Sequence, residues 1–269
     1  MNFNNRNIAP DSTKNWGDLI PYLIIKELSE TTKLLENQVF NVKHYANIHK
    51  IYSTGSVMYF TKPKCIVWGT GCIDFDHIGS TPEKIYAVRG PNTRLELLKR
   101  GISCPEVFGD PALLFPKIYN PDIEKKYKWG IIPHYIEYEG IEHIQMIKNL
   151  ESKGFFVIDI CAGEEEFINQ LLQVENVLSS SLHGLIAADA YGIPNARVNI
   201  SNLLHGHHFK FIDYYLSVKR KIDYGLQLTV DTTMNEIESL YLNKSIEIDL
   251  NMLLQVAPWN DDSYKHLFY

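Results

Sequence analysis

One stretch of the sequence places strict demands on the fold, because a strand passes into a helix there through small hydroxyl residues. Residues 174–178 have the composition of a strand, and residues 185–191 have that of a short buried helix ended by Gly192. Three serines and His183 lie between these segments. The first turn of a helix presents unpaired N–H groups and the positive end of the helix dipole, so this stretch predicts an anion site.

His183 is the candidate catalytic residue of this stretch, with Ser180 and Ser181 as hydroxyl donors to the same anion. A protonated imidazole beside an anion can bind a phosphate or deliver a proton during its departure, because imidazole titrates near neutrality. The alternative is that the serines only cap the helix and that His183 is a core histidine with ordinary partners. The residue types alone leave both interpretations open.

Composition limits what can surround this stretch. With 269 residues, of which 45% are hydrophobic, the chain can bury one large or two small α/β cores. The net charge of −6 and the absence of a basic stripe argue against nucleic acid as the main partner. The four cysteines form no CxxC pair and show no metal-ligand spacing, which predicts reduced thiols and no zinc site.

No membrane-spanning or secretory segment is predicted. The first residues lack a basic region followed by an apolar one, and no run of about 18 apolar residues is long enough to cross a bilayer. We therefore expect a cytoplasmic protein with at most peripheral contact with the inner face of the membrane.

Glycine and small polar residues follow predicted strands, or precede a predicted helix, in the first half of the chain. Such loops line the ligand crevice of open α/β sheets, and glycine lets a substrate approach the main chain. Asp18 is expected either to cap the helix at residues 19–29 or to orient or deprotonate a hydroxyl group. The other cleft residues predicted in this way are Asn15, Gly17, Thr54, Gly55, Ser56, Gly69, Thr70 and Gly71.

Basic side chains at strand ends are the candidates for binding an anionic donor. Arg89 follows the predicted strand at residues 85–88, and His134 comes just after the predicted strand at residues 129–132. A guanidinium in such a position can hold a phosphate or carboxylate with two hydrogen bonds. Lys210 is a third candidate, although an exposed lysine on an amphipathic helix is the default interpretation.

A charged, proline-containing segment at residues 117–128 predicts a domain boundary. The first domain would span residues 1–120 and the second residues 121–269. Strands alternate with helices in both parts, which predicts an α/β fold with two Rossmann-like parallel sheets. Helical spacing at residues 235–242 and 246–256 predicts C-terminal helices that pack across the two lobes.

A histidine-rich segment at residues 204–208 gives only a weak metal signal. His205, His207 and His208 have no acidic partner at a standard ligand spacing, so we predict a mobile loop beside the cleft rather than a metal site.

Seven segments, in order along the chain, resemble the polysaccharide pyruvyl transferases. The resemblance implies a GT-B-like arrangement of two Rossmann-like domains, with phosphoenolpyruvate as donor. The implied acceptor is a lipid-linked or nucleotide-linked sugar of a capsule, an exopolysaccharide or its precursor, and the family's histidine falls on His183. The matching segments are residues 15–28, 54–56, 67–71, 88–102, 109–116, 131–135 and 179–194.

The chain departs from the family pattern just before the Leu-His-Gly motif. Many members carry arginine at this position, where the present chain has Ser181, so the anion contact must come from elsewhere, for example from Arg89 and His134. The implied reaction protonates the donor methylene, adds one sugar hydroxyl, expels phosphate and closes a ketal with a second hydroxyl. It requires no metal or other cofactor, because Arg, His and the helix dipole can balance the donor charge.

Two other functions stay open at this point. The same fold suits a GT-B-type glycosyltransferase with a nucleotide-sugar donor, and it also suits a non-catalytic sugar-binding protein of polysaccharide assembly.

Overall fold

The computed structural model describes residues 15–29, 51–203, 206 and 208–264. Within these ranges the chain forms two sheets with parallel strands only, and helices surround them. The described part contains no closed barrel. The predicted α/β class, with two Rossmann-like sheets and a GT-B-like character, is therefore confirmed.

The first sheet has the strand order β1-β2-β3, and the second has the order β5-β4-β6-β7-β8. Because every strand pair is parallel, the carboxyl ends of the strands meet at one edge of each sheet, where ligands bind in open α/β folds. The strands are β1 Ile51–Tyr52, β2 Ile66–Trp68, β3 Lys84–Ala87, β4 Tyr127–Ile132, β5 Phe156–Val157, β6 Val174–Ser179, β7 Asn195–Asn199 and β8 Leu226–Gln227.

Within the described ranges, one helix precedes the first strand, and the others fall between the strands or follow the last one. They are α1 Trp16–Leu28, α2 Pro91–Lys99, α3 Ile141–Ser152, α4 Glu164–Leu172, α5 Leu182–Ala190, α6 Phe209–Ser217, α7 Met234–Glu238 and α8 Leu250–Gln255. Short 3₁₀ helices are Met58–Phe60, Pro111–Lys117, Tyr135–Tyr138 and Pro258–Asn260.

Several of these elements begin at side chains that satisfy free N–H groups. Asn15 accepts a hydrogen bond from the N–H of Gly17 and starts α1, and Asp110 accepts one from Ala112 and starts the 3₁₀ helix Pro111–Lys117. Asn15, rather than Asp18, is therefore the cap of α1. Helix α5 is buried on all sides, as expected of a helix with apolar residues around its whole circumference.

The largest hydrophobic cluster connects the two sheets. Trp16 of α1 packs against Phe115 at a ring-centroid distance of 5.2 Å and against Phe167 of α4 at 5.3 Å. The same cluster continues through α5 and α6. The first helix is therefore held by the 3₁₀ helix Pro111–Lys117 and by α4.

Some predicted elements are shorter in the structure than in the sequence analysis. The apolar run at residues 155–160 forms a strand only over Phe156–Val157, because Asp159 starts a turn in which its side chain accepts from the N–H of Cys161. The last predicted helix begins at Leu250 rather than Ile246, since the Asp249 side chain caps it by accepting from Met252.

Residues 119–126 form no helix or strand and connect the two sheets. The division into domains at residues 1–120 and 121–269 stays a prediction. The C-terminal part of the described chain contacts the first sheet: Trp68 Nε1 donates to the Leu253 carbonyl at 2.9 Å, and the Trp68 ring lies 4.9 Å from that of Trp259. None of the helices in the described ranges is long and apolar enough to cross a membrane.

Candidate functional site

His183 lies in the first turn of α5, where the loop after β6 meets loops of the first sheet. The residue is 9% exposed, and Nε2 of its ring has no hydrogen-bond partner among the described residues. Gly17 of α1 leaves room for the imidazole, because a Cβ atom at this position would lie only 2.0 Å from Nδ1. Gly55, just after β1, lies beside the same ring, where a Cβ atom would be 3.7 Å from Cε1.

Asp110 is the acidic group closest to this imidazole. Its Oδ1 accepts from the N–H of Ala112 at 3.0 Å, and its Oδ2 accepts a longer hydrogen bond from Gly55 at 3.4 Å. The Oδ2 atom also lies 4.0 Å from His183 Nε2. The Asp110 side chain is fully buried, and this burial raises its pKa to about 6 against the opposing effects of the Ala112 N–H, the Arg89 charge and the Gly55 N–H.

Burial has the opposite effect on His183. Loss of hydration, followed by the positive charges of Arg89 and Lys210, lowers the pKa of the imidazole to about 3. The imidazole is therefore neutral at neutral pH in the protein without a bound anion. The role of His183 as a proton donor stays a prediction, and an anion beside the ring would be needed to raise its pKa.

The serine turn before α5 is held by internal hydrogen bonds. Ser179 Oγ accepts from the N–H of Ser181 and lies 3.0 Å from the Ile132 carbonyl, to which it donates. Ser180 Oγ accepts from the His134 N–H at 3.0 Å and donates to Glu137. Ser181 is the N-cap residue of α5, but its hydroxyl makes no capping hydrogen bond.

Glu137 is a residue of this edge that the sequence analysis missed. It is completely buried, and its carboxylate accepts from the His134 N–H, from Ser180 Oγ and from both the N–H and the hydroxyl of Ser201. These donors follow β4, β6 and β7, so one carboxylate joins three strand ends. The signal was the spacing of His134 and Glu137, which matches a capping box.

Arg89 is more deeply placed than its predicted role requires. It is 0% exposed, and its Nε and Nη2 atoms both lie 3.0 Å from Oδ2 of Asp213 on α6. Nη1 donates to Ser56 Oγ and Nη2 donates to the Cys72 carbonyl, both at 2.6 Å. Gly71 makes room for this arrangement, since a Cβ atom there would lie 2.5 Å from Cζ. The guanidinium is thus engaged by protein groups, and a direct contact with a donor stays a prediction.

Lys210 is buried rather than exposed on the first turn of α6. It is 7% exposed, and its ammonium makes no hydrogen bond or ion pair with any other described residue. Burial, aided by the charges of Arg89 and Arg197 and opposed by Glu137, lowers its pKa to about 8. The nearby ring of Phe211 has its centroid 5.6 Å from Nζ.

Arg197 is a second buried cation that the sequence analysis missed. It pairs with Ser179 in the register of β6 and β7, it is 2% exposed, and its guanidinium carbon lies 3.7 Å from the ring centroid of Phe211. A charged residue between Ala196 and Val198 of a predicted strand was the available signal. Arg197 and Lys210 therefore bring positive charge close to the end of β7, beside the strand that leads to Ser181.

Comparison with known proteins gives a family match that includes the strand ends around His183. Residues 80–202 match the family model of the polysaccharide pyruvyl transferases. This segment is therefore similar to a polysaccharide pyruvyl transferase domain. The matched segment contains Asp110, Glu137, His183 and Arg197.

The chain is also similar to an uncharacterised protein of Acanthamoeba polyphaga mimivirus. The two are 28% identical over 166 residues, which amount to 60% of this chain and 57% of the viral protein. The chain thus spans less than two thirds of that relative. No solved structure gives a significant match.

Several predicted cleft residues lie before the matched residues 80–202, in loops that reach His183. Thr54 Oγ1 donates to the Gly17 carbonyl at 2.7 Å, and Thr70 Oγ1 donates to that of Gly55 at 2.8 Å, so these loops are tied together at His183. Other members of the predicted set lie apart from the imidazole. Gly69 packs on Pro111, Ser56 and Gly71 contact Arg89, and Asn15 caps α1.

Asp18 and His134 occupy the borders of this arrangement. Asp18 is exposed in the first turn of α1 and accepts from Asn15 Nδ2 at 2.6 Å. His134 is half-buried, caps the 3₁₀ helix Tyr135–Tyr138 and lies with its ring 4.5 Å from that of Tyr135. The negative charge of Asp18 contributes, after burial, to a raised pKa of Tyr135, so α1 and the end of β4 are neighbours.

The predicted histidine-rich loop is described only in part. His205 and His207 lie outside the described residues, and the expected loop at residues 204–208 stays a prediction for that reason. The described residues contain no group of three or more histidine, cysteine or acidic side chains that could hold a metal ion. All four cysteines lie in the described ranges, and none of them forms a disulfide.

Proposed function

We propose that the protein transfers the enolpyruvyl group of phosphoenolpyruvate to a sugar of a cell-surface polysaccharide or its precursor. The product is a pyruvate ketal, and phosphate is released. The observation that carries this proposal is the state of His183, whose Nε2 atom is buried without a hydrogen-bond partner inside the segment that matches the pyruvyl transferases. An unsatisfied buried polar atom costs about 1–3 kcal/mol, which favours a catalytic over a structural histidine.

The charge distribution supports an anionic donor. Phosphoenolpyruvate carries a carboxylate and a phosphate, and the buried ammonium of Lys210 lies among described residues that do not neutralise it by an ion pair. Arg197 adds a second buried cation, and α5 directs its N-terminal N–H groups to the same edge of the sheet. We propose that these groups replace the arginine that many family members carry at the position of Ser181.

We assign the remaining donor contacts to residues that lie close to the carboxyl ends of β4 and β6. Ser181 has a hydroxyl that makes no capping bond, and Ser180 and His134 adjoin it across the ends of β6 and β4. Arg89 acts through its charge and through the loops that it holds, because its guanidinium is bonded to Asp213. The chemistry calls for no metal or organic cofactor, since cationic side chains and the helix dipole balance the donor charge.

The acceptor side is assigned to the loops of the first sheet and the start of α1. Asp18 is exposed there and is suited to orient a sugar hydroxyl, whereas Gly17, Thr54, Gly55 and Thr70 let the acceptor approach His183. We propose a lipid-linked or nucleotide-linked saccharide as acceptor, bound on the cytoplasmic side of the membrane.

The proposal is tested by incubating the protein with phosphoenolpyruvate and a panel of lipid-linked and nucleotide-linked saccharides. Acceptor-dependent phosphate release and a mass gain of the acceptor support it. Release of a nucleotide from a nucleotide sugar, with phosphoenolpyruvate left intact, would instead support a glycosyltransferase. Binding of saccharides without any turnover would support a non-catalytic sugar-binding protein.

A matched pair of histidine variants links the activity to the site. His183→Gln should lower the single-turnover rate by roughly 10²–10⁴-fold, because proton transfer by a positioned side chain contributes a factor of this size. Donor affinity should change little. His143→Gln on α3 is the control and should leave the rate unchanged, since His143 lies outside the proposed site.

A further inference from the structure

Asp110 and His183 come from different halves of the chain, and their reactive atoms face each other without a hydrogen bond. Oδ2 of Asp110 and Nε2 of His183 are 4.0 Å apart. Both side chains are buried, and neither atom has a strong partner: Nε2 has none among the described residues, and Oδ2 has only the 3.4 Å bond from Gly55. Two such atoms are positioned to act on a third group.

The separation of 4.0 Å suits one shared oxygen atom. An oxygen placed about 2.8 Å from both atoms makes a hydrogen bond with each of them. A hydroxyl group of an acceptor meets this requirement, because it both donates and accepts. The pair can therefore hold one reacting hydroxyl of the acceptor beside both side chains.

We propose that Asp110 is a catalytic residue of the transfer, giving its carboxyl proton to the methylene carbon of the donor while His183 takes the proton of the attacking hydroxyl. This assignment rests on the proposed function and reverses the sequence-based expectation that His183 is the acid. It also gives a role to a carboxyl group whose hydrogen bonds within the described residues are the capping bond from Ala112 and the longer bond from Gly55.

Burial favours these protonation states; the charges of Arg89 and Lys210 act in the same direction on His183, whereas the charge of Arg89 opposes burial at Asp110. Asp110 is faced by His183 from α5, by Arg89 after β3 and by the neutral phenol of Tyr214 on α6. His183 is faced by Asp110, Arg89 and Lys210. Burial raises the pKa of Asp110 to about 6 and lowers that of His183 to about 3, so the pair holds a partly protonated carboxyl and a neutral imidazole near pH 6.

The first half of the reaction protonates the donor and adds the first hydroxyl. The C2–C3 π electrons of the donor form the new C3–H bond as the O–H bond of Asp110 breaks, which leaves a carboxylate and an oxocarbenium-like C2. The first hydroxyl oxygen bonds to C2, and its proton passes to Nε2 of His183. The site then contains the Asp110 carboxylate and the His183 imidazolium.

The second half restores both groups. The bond between C2 and the phosphate oxygen breaks with its electron pair on that oxygen, and the imidazolium of His183 gives its proton to the departing phosphate. The second hydroxyl bonds to C2, and its proton passes to the Asp110 carboxylate. The net change is one ketal and one phosphate, with no oxidant, reductant or added base.

The first experiment measures the pair without relying on turnover. The ¹⁵N signals of His183, assigned by their loss in His183→Gln, are followed between pH 4 and pH 8. An inflection near pH 6 is expected in the wild type, because the carboxyl 4.0 Å away ionises there. The inflection should disappear in Asp110→Asn and persist in the exposed control Asp231→Asn. Its absence from the wild type, or its survival in Asp110→Asn, would overturn the assignment.

The second experiment measures single-turnover pyruvyl transfer. Asp110→Asn keeps an acceptor for the Ala112 N–H but has no acidic proton, so the rate should fall roughly 10²–10⁴-fold while donor affinity stays within about threefold. The fall in wild-type rate as pH rises through 6 should also be lost. Asp110→Ser, which retains a capping hydroxyl, provides a second variant if the first is poorly folded, and thermal melts check both.

The outcomes separate the two proposals. Equal transfer rates in the wild type and in a folded Asp110 variant reject the role of Asp110 and leave the proposed function standing. No transfer by the wild type with any tested acceptor, together with an intact inflection, rejects the proposed function and the step assigned within it.

Discussion

Arg89 and Asp213 form a fully buried ion pair that joins the loop after β3 to α6. The Nε and Nη2 atoms of Arg89 each lie 3.0 Å from Oδ2 of Asp213, and both side chains are 0% exposed. Asp213 also accepts from the N–H and the hydroxyl of Thr93 at the start of α2. The carboxylate therefore connects elements of the first sheet to a helix that follows the second.

The first prediction concerns the stability that depends on this pair. Arg89→Ala should lower the free energy of unfolding by about 3–5 kcal/mol, because it leaves the Asp213 carboxylate buried without its counter-charge. Urea denaturation provides the measurement. Arg100→Ala is the control, since its ion pair with Asp76 is largely exposed and should contribute at most about 1 kcal/mol. Similar losses in the two variants would contradict the prediction.

The same variant also tests donor binding. The sequence-based expectation is that Arg89→Ala weakens the thermal protection given by phosphoenolpyruvate. Because the variant is also expected to unfold more easily, the donor-induced shift in Tm is to be compared with each variant's own melting temperature.

The second prediction concerns the pH dependence caused by Lys210. Its pKa falls from 10.5 in the unfolded chain to about 8 in the fold, so the unfolded state binds the extra proton between these values and stability rises as pH increases from 8 to 10.5. Below pH 8 the buried ammonium is charged, and it lowers the stability of the folded state by on the order of 3 kcal/mol. This figure follows from about 1.4 kcal/mol for each unit of pKa shift.

Lys210→Met removes this charge and keeps a side chain of similar length. In the absence of ligand it should be more stable than the wild type at pH 7, and the difference should shrink above pH 8. Denaturant unfolding at pH 7 and pH 9 checks both statements. Phosphate-induced protection should be reduced in the same variant. A variant that is less stable at pH 7 would show that the ammonium has a stabilising partner.

The third prediction concerns the space that Gly17 leaves for His183. Alanine is the better helix former by about 1 kcal/mol, yet its Cβ would lie 2.0 Å from Nδ1, so Gly17→Ala should displace the imidazole. Pyruvyl transfer should fall by at least tenfold with little loss of helix content, as measured by kinetics and circular dichroism.

A second glycine variant serves as the comparison. Gly154 has φ 91°, and a Cβ atom there would contact nothing within 4 Å. Gly154→Ala should cost about 1–2 kcal/mol of stability through backbone strain alone and should leave the transfer rate unchanged. Normal activity in Gly17→Ala would show that the ring is free to move.

The fourth prediction concerns the carboxylate that joins three strand ends. Glu137→Gln replaces one carboxylate oxygen by an NH₂ group. In one orientation of the amide this group faces the His134 N–H, and in the other it faces the Ser201 N–H. Stability should fall by about 1–3 kcal/mol, because a buried donor loses its acceptor. Glu236→Gln, in the exposed capping box of α7, should have a much smaller effect in the same unfolding assay.

The sequence predicted the parts of the site that depend on local patterns. His183 follows a strand and begins a helix, and Gly17 and Gly55 were predicted separately as residues that admit a close approach. These positions could be found because strand ends and helix starts leave periodic signals. That Gly17 and Gly55 both lie against the His183 imidazole could be inferred only from the parallel topology.

The partners of the buried charges could not be predicted in this way. Asp213 lies 124 residues after Arg89 on a helix that reads as amphipathic, so its carboxylate had no visible reason to be buried. Glu137 lies between Tyr135 and Tyr138 and is followed by Glu139, and such a polar segment is usually a solvated surface. The burial of both carboxylates depends on tertiary contacts, which the composition of the neighbouring residues does not reveal.

The contact between Trp68 and the last described helix has a consequence for the order in which the molecule assembles. Trp68 on β2 donates to the Leu253 carbonyl, 185 residues later, and packs against Trp259. A ribosome that adds about 5–20 residues each second therefore releases β1, β2 and β3 well before their covering side chains exist. The Trp68 side chain gains these contacts only after residue 259 has been synthesised, and contacts of such long sequence separation form slowly.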